Sequence, residues 1–504
     1  NIKFDLQWMR AKGVNLYGHF DTKRAAHLLD ENRPSGLKPL ARAYLGADEY
    51  EAGIGFSGGV TELTRLAIYN GKDADYTLRL YHQFRAELLK QPKLLRLFIK
   101  LVMPACRAFT EFEMNGFPVD VARLRERHLE IKAKIKELEA KMMTYVPEEK
   151  RGIANFGSPV FMGWFLFDHL KLPVILYTPK GARSTAESVL LQLRKKHAAV
   201  DLLMEIRKWK KYESTYTRNW LTRVGIARKP RLHTSYNLSG TVTGRLSSNM
   251  QQVPRDLYIR SILGTRPGWK FLEADFSQIE LRIAAMFSRD PALTKTFREG
   301  GDPHTQTAAK ILGVPEAQIT KEQRKMAKAV NFGFLYGMWW KKFGRYADEK
   351  YDVQVSNEEA KAYREAFFHQ YSGLEPWHNR QRRLVNANQA VHSPTGRVRH
   401  LPTILSVDDD VRQEAERQAI NSPVQGFASD LTILAMTLLH SKLDRKQARI
   451  IGNVHDSIIL EAREEVAEEV AQEVKHTMEH LPLKKLFGFT PTVPIEVEVS
   501  IGQH

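Results

Sequence analysis

The chain is almost without cysteine: Cys106 is the only one in 504 residues. A single thiol excludes an internal disulfide, fits a reducing compartment, and suits a small core residue better than a nucleophile. Long apolar runs are missing as well. The most lipid-like segment, Leu94 to Cys106, is broken by Arg96, Lys100 and Pro104, short of the ~18 residues that a spanning helix needs, so a soluble protein is expected. Internal repeats and low-complexity tracts are absent, which excludes repeat architectures. The chain opens with neither a secretory signal nor a methionine, and Asn1 is read as the first residue of a fragment.

Acidic residues are in deficit. Lys and Arg number 76 against 58 Asp and Glu, a formal charge of +18. That surplus points to a polyanionic partner such as nucleic acid and says nothing of fold. The length exceeds the ~250 residues at which single cores stop growing, so several domains are expected. A hydrophobic fraction of 43% can build them.

Arg324 to Gly337, RKMAKAVNFGFLYG, organises the rest. Met326, Ala327, Lys328 and Ala329 favour a helix, on which Arg324, Lys328, Phe332 and Tyr336 recur every four residues as one drifting stripe. The stripe runs from two cations to two aromatic faces, the order in which a triphosphate and its base would meet it. An Arg and a Lys four apart are by themselves more often a solvated basic edge. Two further stretches change that balance. In LEADFSQIELRIAAMF, Leu272 to Phe287, a strand leads into a helix, with Asp275 at the strand end and Glu280 on the helix. In ARIIGNVHDSIILEA, Ala448 to Ala462, two apolar runs read as a hairpin with His455 and Asp456 near its turn. Each Asp alone suits a turn or a cap. Two carboxylates at the ends of apolar strands need a cation between them, because like charges repel. Two magnesium ions about 4 Å apart would meet that need and clamp the entering and leaving oxygens of a phosphoryl transfer.

These three stretches resemble motifs A, B and C of the family A, polymerase I-like DNA polymerases, in order and at plausible separations. Further matches stand in SGTVTGRLSSNMQQVP (Ser239 to Pro254), DPHTQTA (Asp302 to Ala308) and ERQAINSPVQGFASDL (Glu416 to Leu431), so the resemblance covers essentially the whole chain. It implies an α/β right-hand polymerase, with an antiparallel palm sheet and helical thumb and fingers, preceded by a truncated RNase H-like 3′-5′ exonuclease domain. The expected boundaries are exonuclease 1–95, thumb 96–232, first palm segment 233–287, fingers 288–384 and second palm segment 385–504. The compact size and the GTVTGR wording fit a phage or replicative branch as well as a bacterial repair one. A cytoplasmic location in either kind of cell follows.

The resemblance also assigns roles. Asp275 and Asp456 would be the metal ligands, with two Mg²⁺, or Mn²⁺, as cofactors. Lys328 would neutralise developing charge and protonate pyrophosphate. Glu280, His304, Arg324, Lys328, Phe332 and Tyr336 would bind the dNTP, Glu280 as the gate that crowds the ribose 2′ position. Gly333 and Gly337 would leave room for close approach. Arg245, Arg417, Asn421, Gln425 and His455 would touch the primer-template DNA, with Pro423 interrupting a helix and placing Gln425 at a junction. Ser457 departs from the family, which carries Glu there.

Near the start, NIKFDLQWM and YNGKDADYTLRLY resemble the second and third exonuclease motifs. By themselves Asp5 reads as a strand-end residue and Asp73 as a helix cap. The family context makes Asp5 and Asp73 metal ligands and lets Tyr69 orient water. The first exonuclease motif, an upstream Asp-x-Glu, is not in this sequence, so proofreading is expected only if the intact protein supplies it. Farther on, Leu124, His128, Ile131, Ile135, Leu138 and Met142 form a coiled-coil-like seam, too short for a dimer and better matched to VDLLMEIRKWKKYESTYTRNWL in the same chain. With Lys208, Lys210 and Lys211 nearby, that pair suits a thumb gripping a duplex backbone. A monomer without membrane contact is expected. The competing readings are a single-subunit RNA polymerase, against which Glu280 and the exonuclease-like stretches argue, and a non-catalytic nucleic-acid-binding subunit, against which the retained carboxylates argue.

Overall fold

The computed structural model describes residues 1–51, 54, 62–226, 230–254, 256–454 and 456–502. The chain divides into two compact units, one of them Asn1–Asn115, Thr234–Gln251 and Gly268–Gly502, the other chiefly Gly116–His233 and Gln252–Pro267.

The first unit is built on a four-stranded antiparallel sheet in the order Ala448–Val454, Ser457–Arg463, Trp269–Phe276, Val497–Gly502. Along the central strand Leu272, Ala274 and Phe276 are buried while Glu273 and Asp275 are exposed, the period of two expected of a sheet covered on one face. The two runs of ARIIGNVHDSIILEA do form a hairpin, pairing Val454 with Ser457, with a bulge between Ile450 and Gly452. Helix Ala467–Glu479 packs on the sheet through its Val470, Val474 and Met478 face, each such side chain contributing about 1.5–3 kcal/mol of burial.

Helix Asp409–Lys442 also packs on this sheet and corrects one expectation. It runs through Pro423 without stopping, so Gln425 lies within a continuous helix and not at a junction. An interior proline costs roughly 3 kcal/mol. Here Ala419, Ile420, Val424, Phe427, Ala428 and Leu431 are all buried around it, and that apolar contact outweighs one lost backbone hydrogen bond. The Asp408 side chain caps the helix by accepting from the backbone of Asp410 and Val411.

Among the described residues of 1–89 the elements are helices Ile2–Ala11, Thr22–Leu29, Leu37–Leu45 and Leu63–Leu89, and no strand. Asp5 therefore stands in the first turn of a helix instead of at a strand end. The buried positions there are Lys3 and Leu6, three apart, while Phe4 and Trp8 are exposed, so helical spacing decides the element. Asp73 is interior to Leu63–Leu89 and caps nothing. Residues 96–115, expected with the thumb, pack in this first unit, where Phe98, Leu101, Phe109 and Phe112 join its core.

In the second unit, helix Val121–Met143 buries Leu124, Ile131, Leu138 and Met142, the expected seam. It packs on Ala198–Lys211 and the segment that follows. His128 near its start hydrogen-bonds Thr217, and Glu139 near its end pairs with Lys210, so the two run antiparallel. Lys208 is also paired, with Asp256 at 3.8 Å.

Candidate active site

Sheet register brings the predicted carboxylates together. Asp275 lies directly opposite Ser457 on one side and Glu498 on the other, and Asp456 is in the turn immediately before Ser457. Like charges directly opposite in a sheet repel. The Asp275 carboxyl is pushed up to about 6, first by desolvation, since atoms crowd the carboxyl although the residue as a whole is exposed, then by Asp456 and least by Glu498, while a hydrogen bond with Ser457 opposes the rise. A divalent cation would remove the repulsion, and the oxygen-rich donor set suits a hard cation such as Mg²⁺. The residues present fit the metal that the sequence implies.

After the strand, Gln278 takes the left-handed conformation at φ 51° and starts helix Ile279–Ser288, with Glu280 in its first turn. Glu280 joins two predicted residues from separate stretches: one carboxylate oxygen accepts from the Arg245 guanidinium and the other from the Tyr336 hydroxyl. Burial raises the Glu280 carboxyl, and Arg245 and Tyr336 oppose the rise. The Tyr336 hydroxyl is raised too, by burial and then by Glu280, so it is the donor.

The stripe lies on helix Lys321–Leu335, opened by a reciprocal capping box of Thr320 and Gln323 and ending with Tyr336 at its C-cap. Ala327, Ala329, Val330, Phe334 and Leu335 face the core. Lys328 is exposed and makes no ion pair among the described residues. Arg324 is held by Asp302 in a two-pronged contact, Nε to Oδ2 at 2.7 Å and Nη2 to Oδ1 at 3.1 Å. Burial alone would raise the Asp302 carboxyl, but the hydrogen bonds from Arg324 and Thr305 hold it below the usual range. His304 is buried beside the Phe332 ring and shares a 2.9 Å hydrogen bond between Nδ1 and Asn331 Nδ2. Burial, with Arg324 and Lys328 nearby, lowers it to about 4. It is therefore neutral near pH 7, with Nδ1 the acceptor and Nε2–H the free donor.

Gly333 and Gly337 serve packing. A Cβ on Gly333 would lie 3.0 Å from the Phe343 ring, and one on Gly337, at φ +72°, 3.0 Å from Ile420. Arg417 pairs with Glu414, Asn421 Oδ1 is buried without a partner among the described residues, and Gln425 is half-buried. His455 lies outside the described residues. Asp73 accepts from Lys38 and from the Tyr50 hydroxyl at 2.7 Å, and the Lys38 ammonium sits 4.1 Å from the Tyr69 ring centre. No described contact joins Asp5 to them. Sequence reasoning missed Asp302 and Asn331, the partners of Arg324 and His304. Both sit inside quoted stretches, Asp302 as the first letter of DPHTQTA, but only the fold shows which cation or ring each one meets.

The strand ends thus present Asp275 and Asp456 close to Glu280, which the cation-bearing helix reaches through Tyr336. Residues 121–504 match the family model for DNA polymerase family A, and residues 1–89 match one for a 3′-5′ exonuclease. The chain belongs to DNA polymerase family A. It is 34% identical over 503 residues to DNA polymerase I of Pseudomonas aeruginosa, covering 96% of this chain and 53% of that protein. To the thermostable DNA polymerase I of Thermus aquaticus it is 34% identical over 506 residues, covering 98% and 56%. The chain thus spans about half the length of the curated relatives it matches. A solved structure of the POL domain of Pol1 from M. smegmatis, in complex with DNA primer-template and dNTP, is similar at TM-score 0.85 and 28% identity, over 100% of this chain and 85% of that one.

Proposed function

We propose that this chain is a template-directed DNA polymerase that adds dNTPs to a primer 3′-hydroxyl. The observation that carries this reading is the register of Asp275 opposite Ser457, which sets two mutually repelling carboxylates at one end of the two central strands. Asp275 and Asp456 would hold Mg²⁺, which when bound supplies Lewis-acid stabilisation of the attacking and leaving oxygens.

The chain's own groups do the rest. Lys328, exposed and without an ion pair among the described residues, neutralises charge on the triphosphate and donates a proton to departing pyrophosphate. Arg324 exchanges Asp302 for phosphate oxygens, and neutral His304 donates from Nε2. Phe332 packs on sugar and base. Tyr336 stacks in the insertion site, and Glu280, fixed by Arg245 and Tyr336, crowds the 2′ position. Arg245, Arg417, Asn421 and Gln425, together with His455, are the residues assigned to primer-template binding. Closing the cationic helix over a correct pair completes the site. Excision of mismatched ends by Asp5, Tyr69 and Asp73 is proposed only together with an upstream Asp-x-Glu. In that case Lys38 must release Asp73.

Primer extension tests the reading. Asp275→Asn is expected to lower extension by on the order of 10³-fold with duplex affinity within about threefold. Extension at the wild-type rate would overturn it.

A further inference from the structure

A continuous chain of buried polar groups leads from the first helix into the turn that carries Asp456. The Lys3 ammonium meets Glu113 and donates to the Tyr236 carbonyl. Glu113 accepts from the Tyr236 backbone N–H at 2.5 Å. The Tyr236 hydroxyl accepts from the Asn453 backbone N–H at 2.9 Å. The Asn453 side chain then spans the hairpin: its Nδ2 donates to the Ser457 carbonyl at 2.9 Å, and its Oδ1 accepts from Gln251 at 2.9 Å. All four links are out of water, with exposures of 4% for Lys3, 5% for Glu113 and 0% for Tyr236 and Asn453.

We infer that Tyr236 and Asn453 are positioning residues for the Asp456 carboxylate, and that the pair of Lys3, from the exonuclease-matching segment, with Glu113 buttresses them. The inference rests on the polymerase reading above. Hairpin turns are short of restraints of their own. Here the turn is flanked by Val454 and Ser457, and Asn453 ties its two sides together at the level of Asp456. The Tyr236 hydroxyl is raised by burial, so it stays protonated and keeps its geometry across the working pH range. A buried hydroxyl and amide with every partner in place fix one arrangement, and loss of one member leaves a costly unpaired group that the turn relaxes to satisfy. The positions of Lys3 and Glu113 give residues outside the polymerase-matching region an influence on the strand ends that carry Asp275 and Asp456.

The test is Tyr236→Phe, which removes one oxygen and keeps the ring packed. Binding of Mn²⁺, read by electron paramagnetic resonance in the absence of turnover, is expected to weaken several-fold, because Asp456 no longer holds one position. In primer extension kcat, referred to the folded fraction measured by circular dichroism so that lost stability does not lower it, falls about tenfold while KM for dNTP stays within about twofold. Lys3→Met combined with Glu113→Gln, which removes both charges together, is expected to shift Mn²⁺ affinity in the same direction by less. Wild-type Mn²⁺ affinity in folded Tyr236→Phe overturns the inference whatever the activity. A wild-type chain that fails to extend primers while Tyr236→Phe still weakens Mn²⁺ binding would strike the polymerase reading alone.

Discussion

Glu280 is the point at which three distant stretches meet, and its substitution has two consequences. Glu280→Ala removes the carboxylate that would crowd a 2′-hydroxyl and also releases Arg245 and Tyr336. Ribonucleotide incorporation is expected to rise by on the order of 10–10²-fold relative to dNTP, measured by competing rNTPs with dNTPs on one template. Unchanged sugar selectivity would remove the gate role. Asp302 holds Arg324 and, in the proposed polymerase, would compete with triphosphate for it. Asp302→Asn keeps a side chain able to cap helix Pro303–Leu312 and deletes the charge. KM for dNTP is expected to fall about two- to fivefold, the worth of one half-exposed ion pair. A rise would mean that Asp302 orients Arg324 instead of detaining it.

The cationic helix depends on its first turn. Thr320→Ala breaks the capping box and is expected to lower unfolding stability by about 1 kcal/mol, read as a shift in denaturation midpoint. No change would show that packing on its Ala327 and Phe334 face alone fixes the helix. This helix, the Asp275 strand and the Asp456 hairpin were legible in the sequence because each is a local pattern: cations and rings four apart, alternation ending in Asp, two apolar runs around a polar turn. Pro423 misled because the local rule for proline ignores the buried residues around it. Asp5 misled because its neighbours suit a strand until Lys3 finds Glu113, far along the chain. Tyr236 went unnoticed for the same reason. Asn453 did leave a signal, a polar residue inside an apolar strand, which must have a buried partner.

Across the molecule, burial holds several histidines neutral: it lowers His27, His304 and His440 to about 4 and His378 to about 3. The unfolded chain protonates such groups near pH 6.5 while the folded chain does not, so the unfolded state binds more protons and stability falls as pH drops from about 6.5 toward 4. His400 acts oppositely: its hydrogen bond to Glu31 raises it, a contribution present below about 6.5 and lost as pH rises through the folded value. The raised carboxyls of Asp275 and Glu280 act in the same sense as His400, but the four large histidine shifts dominate, so unfolding stability is expected to fall between pH 6.5 and 4.5, by on the order of 1 kcal/mol or more in all, read as a lower thermal midpoint. A flat profile over that range would contradict these burials. The proposed polymerase chemistry requires that Asp275 and Asp456 jointly hold divalent cations. Titration of Mn²⁺ into the chain bound to primer-template and dNTP, followed by electron paramagnetic resonance, tests it most directly. The account predicts about two bound ions for the wild-type chain and loss of binding in both Asp275→Asn and Asp456→Asn. Wild-type stoichiometry and affinity in either variant would contradict it.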